Sequence, residues 1–330
     1  MNSRHGQAGQ SWCRLRRAWY MPDMFVMGVD ENGLGPRLGP LVATSVVLEV
    51  PRYARAALCK RGGDLGLTDS KETGGFGRMR FTESVALALL KRSRAGVPGS
   101  ADGLIDRLWP DSRQGLRARC PDGPTAEQCW GVDFPLPAFG GGVSDGEALL
   151  DRLVGRSGLG VTDVRSRVAC TGLLNAKLAQ GKGKLAVDLG LFEDLISSVH
   201  ERYGSPLLVV CGMIGGIRDY APRLTRFERD GVTLLNGRRG QRRYAFRGVG
   251  EVRFEVDADA RHLPVALASM VGKYVREICM RRIGEFYRRD DPRLQLASGY
   301  HDPVTTRFIE ATEPARRRLR IATDCFTRHA

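Results

Sequence analysis

Residues Met24–Val50, MFVMGVDENGLGPRLGPLVATSVVLEV, leave the backbone few choices. The runs MFVMGV and LVATSVVLEV are aliphatic and β-branched and are bounded by Gly and Pro, which predicts two buried strands. Between them, DENGLGPRLGP holds three glycines and two prolines and predicts a tight, exposed turn. The first strand therefore delivers Asp30 and Glu31 side by side at its end. Adjacent carboxylates repel, and a divalent cation between them relieves the repulsion. Two solvated acids capping a strand would give the same pattern.

Charge narrows the class of partner. The 330 residues carry a formal charge of +14 with a pI near 9.8, which favours an anionic ligand. The basic residues are spread over several segments rather than along one amphipathic helix, so nucleic acid fits better than a membrane surface. No apolar run approaches the roughly 18 residues that a membrane span needs. Residues 1–23 lack the apolar stretch of a secretory signal and are expected to be a disordered extension, with Met21 or Met24 as an alternative start. The eight cysteines show no zinc spacing, which predicts reduced thiols in a cytoplasmic protein.

Further along, Pro51–Leu67 reads as a connection, and Phe81–Arg92 has the period of an amphipathic helix. Leu67–Lys71, LTDSK, joins a hydroxyl and a cation in Ser70 and Lys71, a pair suited to phosphate. Residues 93–167 are rich in Pro and Gly and read as an insertion in which only Gly146–Leu153 looks helical. A helix-prone stretch reaches Arg202; its GKGK lacks the flanking residues of a phosphate loop. Pro206–Gly212, PLLVVCG, suits a central parallel strand. Asn236–Arg247 sets five arginines beside Tyr244 and Phe246, the composition of a nucleic-acid groove or of a solvated basic hairpin. Gly250–Val256 alternates as a strand, and Pro264–Ile283 is a helix with Ser269, Lys273 and Glu277 in one stripe. Residues 284–330 read as a basic helical region.

Four pieces in order, DENGLG…GP, LTDSK, ASMVGKYVRE at Ala268–Glu277 and SGY at Ser298–Tyr300, resemble the motifs of type 2 ribonucleases H, the HII and HIII enzymes. The resemblance covers most of the chain from Met24 onward. It implies an α/β ribonuclease H-like fold, a mixed sheet flanked by helices with an insertion, spanning residues 24–330. It implies metal-dependent cleavage of RNA in RNA–DNA hybrids by a monomer. Asp30, Glu31 and Glu277 would hold Mg²⁺ or Mn²⁺ and carry catalysis, while Gly33, Gly35, Arg37, Ser70, Lys71, Lys273 and Tyr300 would contact nucleic acid.

Two departures open a second reading. The family's third metal-binding Asp aligns with Cys211, whose soft thiol is a poor ligand for Mg²⁺, and Asp219 is the nearest substitute. Leu34 stands where the family has a basic residue between its glycines. The alternative is therefore a non-catalytic nucleic-acid-binding relative.

Overall fold

The computed structural model describes residues 24–67, 79–93, 96–108, 127–155, 158–204 and 206–329. Its centre is β1 (Met24–Asn32), which is apolar on both faces: Val26 packs towards one helical layer, Met27 and Val29 towards the other. β2 (Leu41–Val50) returns antiparallel beside it, with Asp30 opposite Thr44. α1 (Arg55–Asp64) and α2 (Met79–Arg92) follow, then α3 (Ala101–Leu108), α4 (Glu127–Trp130) and α5 (Val143–Val154). β3 (Gly160–Ala169) pairs antiparallel with β2. After α6 (Thr171–Ala179) and α7 (Lys184–Tyr203), β4 (Leu207–Gly212) enters parallel to β1.

β5 (Val232–Arg238) and β6 (Gln241–Phe246) form the basic hairpin, and β7 (Gly250–Glu255) lies parallel to β4. The order across the sheet is β3-β2-β1-β4-β7-β6-β5. Within the first five strands of that order, β2 alone runs against the others. The short α8 (Ala258–Arg261) leads into α9 (Leu263–Arg288), and α10 (Pro303–Ala311), α11 (Glu313–Arg318) and α12 (Thr323–Phe326) complete the chain. α2 and α9 cover one face of the sheet and α7 the other. No helix among the described residues is long and apolar enough to cross a membrane.

Three local expectations change. The connection after β2 contains α1, whose helical period is hidden because only Leu58 and Gly62 are buried. α2 is buried from Val85 to Leu90, more than an amphipathic stripe, because α5 and α9 sandwich it. Residues 160–169 belong to the sheet and not to an insertion; Asp163, Arg165 and Arg167 masked the strand in the sequence. The Asp163 carboxylate takes the Arg165 guanidinium at 2.9 Å, so the charges leave the apolar positions free to pack. Ser70 and Lys71 lie outside the described residues.

Candidate functional site

Strand alternation decides which side chains meet. A Cβ on Gly28 would overlap the Pro264 carbonyl carbon at 2.1 Å, so this face of β1 lies directly on α9. Two residues on, Asp30 shares that face and accepts a hydrogen bond from Ser269. Lys273 and Glu277 continue one and two turns along α9. The result is a groove of about 730 Å³ whose lining includes Asp30, Glu31, Gly33, Lys273, Glu277 and Tyr300. Gly35 and Arg37 stand outside the lining; Gly35 is open to solvent, and Arg37 donates to the Thr306 hydroxyl at 3.1 Å.

The glycine turn has its own supports. Gly33 has φ +89°, and a Cβ there would meet Nε of Arg276 at 2.7 Å, so no other residue fits. Arg276 is 1% exposed; it donates to the Ser298 carbonyl at 2.9 Å and to Glu277 Oε1 at 3.1 Å. Its guanidinium also lies 4.7 Å from the centre of the Tyr300 ring, which holds that exposed ring at the groove's edge. Arg328 reaches in behind the turn and donates to the carbonyls of Gly33 and Gly39. Gly33 thus serves packing, and the resemblance had assigned it only to substrate contact.

The groove's charges strain one another. Burial and then the neighbouring Glu31 hold the Asp30 carboxyl well above the usual range, against the Ser269 hydrogen bond. Burial also raises Glu277, while Arg276 and Lys273 pull it back down. Burial lowers Lys273 despite Glu277. The charge of Asp259, on α8, also bears on Asp30, and Glu255 and Asp257 line the same groove. Sequence reasoning missed these three acids. The signal was present, because EVDAD begins at the last residue of β7, a strand parallel to β4 and ending beside it.

Cys211 does not face Asp30. In the β1–β4 register Cys211 is the partner of Val29, and it packs with Met27, Val29 and Phe192 on the α7 face. A one-residue offset turns a side chain to the other face of a sheet, which is why motif alignment alone misplaced it. Burial, and then the charges of Asp30, Asp188 and Glu31, raise the Cys211 thiol well above its ordinary value, away from the thiolate that binds metal. Gly212 is the residue beside Asp30: a Cβ built there would lie 2.6 Å from Asp30 Oδ1 and 3.5 Å from Glu31 Oε2. Asp219 is no substitute, for it is exposed, outside the groove lining, and accepts hydrogen bonds from Tyr244 at 3.1 Å and Ala221 at 3.3 Å. Asp188 of α7 is fully buried, with neither carboxylate oxygen hydrogen-bonded, and burial followed by the charge of Asp30 raises it strongly.

Among the described residues, no three His, Cys, Asp or Glu side chains are grouped to hold a metal ion. Asp30 and Glu31, both close to the vacant Cβ position of Gly212, fit one hydrated hard cation, because Mg²⁺ keeps several waters beside one or two carboxylates. They do not fit a pair of ions bridged by carboxylates, since Glu277 is engaged by Arg276 and Gly212 brings no side-chain oxygen.

No family model matches the chain, and no curated protein matches it. Among solved structures it is similar to one of the PCNA:RNase HII complex from Archaeoglobus fulgidus, at 17% identity over 92% of this chain and 93% of that one, with a TM-score of 0.44. It is similar to ribonuclease H2 from Pyrococcus horikoshii OT3, at 15% over 92% of each chain, with a TM-score of 0.42. Bst-RNase HIII in complex with Mn²⁺ is similar at 14% over 93% of this chain and 67% of that one, with a TM-score of 0.45. Likenesses this distant carry no argument about the site. The strand order and directions decide the fold. The fold is ribonuclease H-like. On this ribonuclease H-like frame the acids of β1 and α9 share one groove, as the sequence motifs imply.

Proposed function

We propose that this chain binds RNA–DNA hybrid or related duplex nucleic acid along the groove between β1 and α9, and that it does not hydrolyse RNA at an enzyme's rate. The observation that carries this reading is Gly212, which has no side chain at the place beside Asp30 where a third carboxylate would be needed. The charge of +14 supports an anionic partner, and exposed Tyr300 supplies a ring at the groove's edge.

Asp30 and Glu31 would hold a Mg²⁺ or Mn²⁺ ion, which when bound supplies the positive charge that lets a phosphate approach an acidic floor. Lys273 lines the groove near the Glu277 charge and would meet a phosphate oxygen of a bound backbone. Arg276 fixes Tyr300 and Glu277 relative to the glycine turn. Leu34 offers no hydrogen bond from its side chain, so reading of the 2′-hydroxyl would fall to the backbone of the turn.

One observation favours hydrolysis as a second reading. Asp259 lines the groove and, unlike Glu255 and Asp257, its charge is among those that act on Asp30, so it is the first candidate for a third acid. A fluorescence-anisotropy titration beside a cleavage assay on a uniform RNA–DNA hybrid, in Mg²⁺ and then Mn²⁺, tests both readings. Tight binding with no products supports the first. Products that disappear in Asp259→Asn support the second.

A further inference from the structure

The segment between α4 and α5 acquires no role from the sequence motifs, yet it is held with unusual care. Glu83, fully buried on α2, accepts hydrogen bonds from the backbone N–H of Ala138 at 2.6 Å and of Phe139 and Gly141 at 2.8 Å. The Tyr274 hydroxyl of α9 donates to the same carboxylate at 3.1 Å. Arg281 donates to the Ala138 carbonyl, and the Gly142 N–H donates to the Ser84 hydroxyl at 2.9 Å. A Cβ on Gly141 would come within 2.9 Å of the Glu83 side chain, so the loop closes on the carboxylate with no slack. A buried carboxylate with three backbone donors fixes a loop as a helix cap fixes a turn.

What this clamp presents is Phe139. The ring lines the groove, half-buried, with one edge against Tyr274 (centroids 6.2 Å, planes at 73°) and the Arg281 guanidinium 5.8 Å away. Tyr300, 48% exposed and backed by Arg276, lines the same groove. The groove thus carries two aromatic rings, each backed by a guanidinium, around a floor of carboxylates. An acidic floor disfavours acidic peptides and free carboxylates. A nucleobase offers a neutral π-face to a ring while its phosphates stay near the cations, and such stacking is tolerant of sequence.

We propose that Phe139, on the loop that Glu83 holds, is a stacking platform for an unpaired nucleobase at the end of a bound duplex. This rests on the nucleic-acid reading above. The test uses the full chain and two fluorescein-labelled RNA–DNA hybrids, one blunt and one with a four-nucleotide single-stranded overhang. Phe139→Leu keeps the apolar volume and removes the flat ring; it is expected to weaken overhang binding about tenfold more than it weakens blunt binding. Phe139→Tyr is expected to keep the overhang preference, and Phe139→Trp to show emission quenched by the overhang hybrid beyond that of wild type. Equal overhang affinity in Phe139→Leu and wild type, or no added quenching in Phe139→Trp while anisotropy reports binding, would overturn the platform and leave the groove reading intact. If wild type binds neither hybrid at low salt, the groove reading falls and the platform with it.

Discussion

Gly212 lies beside Asp30 where β4 runs parallel to β1, and a Cβ on it would stand 2.6 Å from Asp30 Oδ1. A carboxylate here would face Asp30 and Glu31 directly, whereas the thiol one residue earlier faces the opposite helical layer.

Cys211→Asp is therefore expected to damage the fold without adding chemistry. The new carboxyl would be buried against Val29 and Phe192, near the already unpartnered Asp188. Burying an unpaired acid there is expected to cost about 3 kcal/mol. Urea unfolding should show the lower midpoint, and a hybrid-cleavage assay should show no gain. Retained stability with new Mg²⁺-dependent cleavage would place Cys211 in the site after all.

The same offset explains how much the sequence disclosed. The β1–β2 pair, the parallel strand at Leu207–Gly212 and the long helix through Glu277 were legible, because apolar period and Gly/Pro punctuation record them directly. Asp30, Glu31, Lys273, Glu277 and Tyr300 were named from motifs, and the structure brings them to one groove. Which face a strand residue takes depends on pairing register, which no motif encodes, so Cys211 was misread. Glu83 was illegible for another reason. On α2 it looks like an ordinary surface acid, and its partners lie 55 to 58 residues away and in Tyr274. β3 was lost because paired charges broke its apolar pattern.

Glu255 gives a pH test at the groove's base. It is 1% exposed; burial alone would raise its carboxyl, but hydrogen bonds to His262 (3.2 Å) and Gln241 (2.8 Å), with the charge of Arg261, bring it to about 2. A folded-state value below the ordinary 4.5 means stability that is present above pH 4.5 and lost as pH falls towards 2. Glu255→Gln is expected to cost about 2 kcal/mol at pH 7. The gap from wild type should close between pH 4.5 and 2 in thermal melts. A gap that stays constant over that range would show that the ionised form contributes nothing.

Binding to the blunt hybrid should weaken steeply with salt. Each phosphate neutralised contributes a slope of roughly −0.9 in log K against log salt on B-form DNA. Lys273→Met should flatten the slope by about one such contact, measured by anisotropy from low to moderate salt. An unchanged slope would remove Lys273 from the interface.

Gly212→Asp is the most direct test, read as cleavage of a uniform RNA–DNA hybrid in Mg²⁺ and Mn²⁺. The nearest obstacle is the movable end of Asp30, and Gly212 does not need a left-handed backbone, so an aspartate can be accommodated. Wild type is expected to bind without cutting, and Gly212→Asp to cut in a metal-dependent way about tenfold above background. Asp30→Asn in the Gly212→Asp background should abolish the gain. Vigorous Mg²⁺-dependent cleavage by wild type, or a folded Gly212→Asp protein that binds hybrid and stays inert, would contradict this reading of Gly212.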